Sequence, residues 1–114
     1  MAVSEIDIGT FEALKRTAGA DFIDELVDTF LEDAPKLMAD MRSALLAGNT
    51  EAFRRAAHSL KSNGATFGAQ RLADLSRQLE MLGKENRLGE GGDLLSNLER
   101  TFEVVSAELK GMKA

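Results

Sequence analysis

The chain has 114 residues, 44% apolar and 29% charged, which is the size of one domain with enough apolar surface to form a core. Its 19 acidic residues against 14 basic ones argue against a general nucleic-acid binder, whose affinity comes from Lys and Arg neutralising phosphates. The lack of cysteine removes disulfides, thiolate metal sites and thiol nucleophiles, and no apolar run approaches the ~20 residues of a membrane span. Met1–Gly9 has neither the basic start nor the apolar stretch of a signal peptide, so a cytoplasmic protein is expected.

Apolar residues recur at helical spacing along nearly the whole chain. Thr10–Thr17 reads as a short helix closed by Gly19, with Phe11 and Leu14 on its buried side. From Asp21 to Ala47 the apolar stripe includes Phe22, Ile23, Leu26, Val27, Phe30, Leu31, Ala34, Met38, Met41 and Leu45. Asp21 is the expected cap and Gly48 the expected stop. Pro35 removes one hydrogen bond, but the apolar phase continues past it, so one bent helix is predicted. Asn49 or Thr50 caps a third helix with Phe53, Ala56, Ala57, Leu60 and Gly64 inside. The glycines of Gly64–Gly68 are expected to end it and turn the chain. A fourth helix runs from about Ala69 to Gly83 on a Leu72, Leu75, Leu79, Leu82 seam. Leu88–Gly92 reads as a loop, and Asp93–Lys110 as a last helix.

No segment alternates apolar and polar as a half-buried strand does. The predicted fold is all-α: an antiparallel four-helix bundle with an additional short N-terminal helix, in one domain over residues 1–114. Charge is unevenly spread. Residues 51–87 carry seven basic and four acidic side chains, whereas both flanking parts are net acidic. A basic patch on an acidic body suits an acidic partner surface or a phosphoryl group, although the solvated side of two helices would look the same.

The single histidine lies in that basic segment. At about 100° per residue, with Phe53 at zero, the core direction is near zero and His58 falls near about 140°. Arg54, Lys61, Ser62 and Ala65 share its side. The imidazole is therefore expected in solvent, in the middle of a rigid helix. Imidazole is a nucleophile that needs no proton removed before attack, so it can take a phosphoryl group at nitrogen. A lysine at i+3 can reach phosphoryl oxygens, and small residues at i+4 and i+7 leave room for a docking partner. Exposed histidines are also ordinary on protein surfaces, and these neighbours are weak signals singly.

The run Ala56-Ala57-His58-Ser59-Leu60-Lys61-Ser62-Asn63-Gly64-Ala65-Thr66-Phe67-Gly68-Ala69 resembles the signature of histidine-containing phosphotransfer (HPt) domains. Leu72, the Leu79-Glu80 pair and the Phe30-Leu31 region with its downstream proline also fit, so the resemblance spans essentially the whole chain. It implies a four-helix bundle whose His58 accepts a phosphoryl group from a receiver-domain aspartate and passes it to another receiver domain. It implies no kinase or phosphatase site and no cofactor, with magnesium held by the receiver partner alone. The implied partners are response-regulator receiver domains and a hybrid sensor histidine kinase, with no nucleic acid and no membrane, and the protein is expected to act as a monomer. Lys61 matches the lysine that interacts with the phosphoryl group. Glu80 matches a position where relatives carry glutamine or a similar polar residue near the ring, which implies ring orientation. Ser62 replaces the glycine that many relatives carry after the lysine. Arg54, Arg55, Ser62, Ala65 and Gln70 are the implied docking residues. The start at Met1 and end at Ala114 favour a free-standing shuttle.

Two other classes fit the sequence less well. An enzyme wants a perturbed group in a cleft, and Ser59 or Ser62 cannot meet His58 in triad geometry on a regular helix. Glu32 and Asp33 read as a solvated helix side rather than a metal site. The remaining alternative is a helical-bundle adaptor that binds receiver or kinase domains without phosphotransfer.

Overall fold

A computed structural model describes residues 4–113; residues 1–3 and 114, where the ends of the domain were expected, lie outside the described residues. Five α-helices follow one another: α1 (Ile8–Ala18), α2 (Ala20–Ala47), α3 (Thr50–Thr66), α4 (Gln70–Lys84) and α5 (Gly92–Gly111). α2 packs on α3, α3 on α4, α4 on α5, and α5 returns to α2, so four helices close a ring around one core. α1 leans on α2 and α3 at one end. The expected all-α bundle with a short extra N-terminal helix is what forms.

Helix boundaries follow local chemistry. The Asp7 carboxylate accepts from the Thr10 backbone N–H and so caps α1, two residues before the expected start. α2 begins at Ala20, and its cap position is Gly19 rather than Asp21. Gly19 has φ 93, a conformation that favours glycine, and its N–H closes α1 on the Lys15 carbonyl. Asn49 caps α3 through its side chain, and Gly48 at φ 70 ends α2. α2 runs unbroken through Pro35 for 28 residues.

The Gly64–Gly68 run ends α3 as expected, at Thr66, and Gly68 at φ 80 turns the chain towards α4. Gly64 is buried inside the helix, where a Cβ would stand 3.3 Å from a Leu72 methyl, so its role is close approach of α4. The Leu88–Gly92 loop contains a single 3₁₀ turn, Leu88–Glu90, that buries Leu88.

The core is built from Phe11, Ile23, Val27, Phe30, Met41, Phe53, Leu60, Leu72, Leu79, Leu95, Leu98, Phe102, Val105 and Leu109. Phe30 joins layers: its ring lies 4.9 Å from Phe67 and meets Phe102 edge-on at 5.8 Å. Phe22 and Leu75, both placed on apolar seams by periodicity, are respectively exposed and only partly buried. The segment before α1 straps the bundle end. The Ser4 hydroxyl and the Glu5 N–H donate to the Glu108 carboxylate on α5, and the Asp7 N–H donates to the Gly68 carbonyl after α3. Ile6 is buried beneath that strap. Among the described residues no helix is long and apolar enough to cross a membrane.

Candidate functional site

The site is an arrangement of α3 and α4 side chains. His58 lies mid-α3 with its side chain 57% exposed, and Glu80 lies on α4 with its side chain 4% exposed. The two approach because α3 and α4 pack closely on both sides of them, at Gly64 against Leu72 and at Gly83 against Arg54. His58 Nδ1 lies 2.7 Å from Glu80 Oε2, and Lys61 Nζ donates to Glu80 Oε1 at 2.7 Å. One buried carboxylate thus ties the histidine to its i+3 lysine across the helix pair.

The protonation state follows from electrostatics. Burial pushes the Glu80 carboxyl up, but hydrogen bonds from Lys61 and His58 and the attraction of both groups outweigh it. The carboxyl is held below its ordinary value and is ionised at neutral pH. A carboxylate only accepts, so Nδ1 must carry the proton and donate. In the neutral ring this leaves the Nε2 lone pair free, on the side away from Glu80. The arrangement can therefore present a fixed, solvent-facing nitrogen nucleophile whose conjugate N–H is stabilised by a neighbouring anion.

The other predicted residues separate into two groups. Ser62 and Ala65 are exposed on the histidine side of α3, as expected. Ser62 lines a cleft beside the ring together with Asp33, Lys36 and Leu37 of α2 and Ser59 and Asn63 of α3. Arg54 is tied to Glu51, whereas Arg55 stays largely exposed. Arg54 makes a two-pronged pair with Glu51 at 3.1 and 2.6 Å, and Arg55 lies 3.8 Å from the same carboxylate. Gln70 is exposed at the start of α4, ten residues or about 15 Å of helix rise from Glu80. It lines a groove with the Ser4–Ile8 strap and is not brought to the histidine. Lys61, expected to reach phosphoryl oxygens, donates to Glu80.

Sequence reasoning missed the α2 wall of the cleft and Lys84. Asp33, with Glu32, reads as a solvated helix side; only the packing of α2 on α3 puts Asp33 and Lys36 beside His58. Lys84 Nζ lies 4.0 Å from Glu80 Oε2, a spacing its i+4 position could have suggested. Among the described residues no group of three or more His, Cys, Asp or Glu side chains could hold a metal ion.

Comparison with known proteins identifies the family and fold of this bundle. The Hpt domain family matches residues 25–111. The chain is 31% identical over 102 residues to the chemotaxis protein CheA of Salmonella typhimurium, covering 80% of this chain and 15% of that protein's length. Its fold is similar to the crystal structure of histidine-containing phosphotransfer protein B (HptB) from Pseudomonas aeruginosa. That match has a TM-score of 0.92 and 28% identity, and covers 98% of this chain and 96% of the other. With a family match over most of its length and the same bundle in a solved member, the chain belongs to the Hpt family, the phosphocarrier domains of two-component phosphorelays, which have no kinase or phosphatase activity of their own.

Proposed function

We propose that this protein is a phosphorelay intermediate in which His58 Nε2 accepts a phosphoryl group from a receiver-domain aspartate and passes it to a second receiver domain. The observation that carries this reading is the 2.7 Å bond between His58 Nδ1 and the buried Glu80 carboxylate, which fixes the ring and leaves Nε2 outward. In transfer, the Nε2 lone pair attacks phosphorus and the bond from phosphorus to the aspartyl oxygen breaks. The aspartyl carboxylate leaves with that electron pair, while the proton stays on Nδ1, donated in a hydrogen bond to the Glu80 carboxylate. Imidazole gains positive character during attack, and Glu80 stabilises it where it forms. Lys61 serves both the carboxylate and the incoming oxygens. The receiver supplies magnesium and the acidic site, so this chain contributes position, a nucleophile and local charge.

The partners in this reading are receiver domains and a hybrid sensor kinase, met by a monomer in the cytoplasm, with residues 1–114 acting as a single Hpt domain. Docking falls on the cleft of Asp33, Lys36, Leu37, Ser59, Ser62 and Asn63, with Ala65 at its edge and Arg54 and Arg55 on the flank. Gln70 is too far along α4 to share that face.

The test is incubation of the purified protein with a phosphorylated receiver domain. Acid-labile, alkali-stable label on His58, absent from a folded His58→Gln variant, is the expected result. Stable complexes with receivers but no label would instead favour the adaptor reading.

A further inference from the structure

We propose that Lys84 is a second phosphoryl-contacting cation, the ammonium that moves onto the phosphoryl group once it reaches His58. The inference rests on His58 being the acceptor. Glu80 Oε1 is occupied by Lys61 at 2.7 Å, whereas Oε2 serves His58 at 2.7 Å and has Lys84 Nζ 4.0 Å away, beyond hydrogen-bond length. Glu80 is the only carboxylate within 4.0 Å of Lys84 among the described residues. The Lys84 side chain is 52% exposed against 31% for Lys61. Lys84 is therefore near the reacting ring, charged and uncommitted, while Lys61 is bonded and half-covered.

Its place in the helix pair supports the same role. Lys84 follows Gly83, which packs on Arg54, one helical turn before His58 on α3. Lys61 lies on α3 close to one turn after it. The ring thus stands between two lysines, one from each helix. Phosphorylation at Nε2 places nearly two negative charges beside an ionised carboxylate that cannot move away. Lys61 cannot leave Glu80 without stranding a buried charge, which is costly. Lys84 can swing on its four-carbon stem at little cost, because it gives up no hydrogen bond. Its ammonium would offset the repulsion both as phosphorus arrives and in the phosphorylated product.

Phosphoramidate tests this without a partner. Its P–N bond breaks, ammonia leaves with the electron pair, and phosphorus bonds to Nε2. Phosphohistidine formation and decay are followed by ³¹P NMR on wild type, Lys84→Gln and Lys84→Arg at low salt and at about 1 M salt, where screening reaches ~3 Å. Lys84→Gln should accept phosphoryl about 3- to 10-fold more slowly and lose it faster, the size of effect one half-exposed charge-assisted contact gives. Lys84→Arg should restore both rates, and high salt should close the gap, neither of which a structural role would produce. A labelled wild type with unchanged Lys84→Gln rates, or an Arg variant as slow as the Gln variant, overturns the role of Lys84 alone. A wild type that takes no label on His58 from phosphoramidate or from any receiver overturns the acceptor reading itself.

Discussion

Gly83 packs directly on Arg54: a Cβ at position 83 would stand 3.1 Å from the Arg54 Cβ and 3.3 Å from its Cα. This contact, with its counterpart at Gly64, sets how near α4 comes to α3, and so whether a carboxylate on one helix can hold an imidazole on the other. Gly83→Leu should push the helices apart at this level, with a loss of about 1–3 kcal/mol in urea unfolding from overpacking. It should also lower the rate of phosphoryl transfer, because Glu80 would no longer reach Nδ1. Wild-type transfer in a destabilised Gly83→Leu protein would show that the Glu80 contact is dispensable.

The pH dependence of stability should report Glu80 and Glu108. Burial raises both carboxyls, yet Lys61 and His58 around Glu80, and the Glu5 N–H, the Ser4 hydroxyl and the Ile6 backbone around Glu108, hold both below the ordinary 4.5. A carboxyl lowered in the folded state stabilises it above the unfolded value, and that contribution is lost as pH falls through the lower folded value. The thermal midpoint should therefore drop as pH goes below about 4.5. Glu80→Gln should be less stable by about 1–2 kcal/mol at pH 7, and the difference should shrink towards pH 3. Parallel wild-type and Glu80→Gln curves would count against an ionised Glu80.

The docking cleft can be tested apart from the chemistry. Ser62→Trp places a large side chain in the cleft beside His58, on an exposed position with no core contact. Stability should stay within about 0.5 kcal/mol of wild type. Transfer from a phosphorylated receiver should fall at least tenfold, while labelling by phosphoramidate should change little. Equal losses with both donors would place the effect on the ring rather than on docking.

Leu98 and Leu75 separate what periodicity reads from what packing decides. Both fall on apolar seams in the sequence, but Leu98 is fully buried while Leu75 is half-buried along an open groove between α4 and α5. Leu98→Ala should cost ~2–5 kcal/mol by leaving a cavity, and Leu75→Ala about 1 kcal/mol. Chemical denaturation of the two variants checks the order.

The same distinction explains which parts of the site were legible in the sequence. Helical phase put His58 on the outside of α3 because exposure within one helix depends only on rotation, and the side chain is indeed exposed. The cap at Asn49 and the unbroken α2 through Pro35 were local matters and equally readable. Relations between helices were not. Whether Lys61 stands free or bonds Glu80, whether Gln70 meets His58, and whether Asp33 borders the ring all depend on the register of one helix against another. Gly64 shows the difficulty in one residue: its place on the buried side of α3 reads from helical phase, but the helix that comes close to it there does not. The Ser4–Asp7 strap was hidden for the same reason, since its partners, Glu108 and Gly68, lie far along the chain.

The most direct test of the central claim is to identify which ring nitrogen of His58 carries phosphorus, by ¹⁵N–³¹P correlation in the phosphorylated, ¹⁵N-labelled protein. Because Glu80 holds the Nδ1 proton, phosphorus should couple to Nε2, with Nδ1 still protonated and bonded to the carboxylate. Phosphorus on Nδ1 would contradict the account, since the Glu80 bond could not survive there.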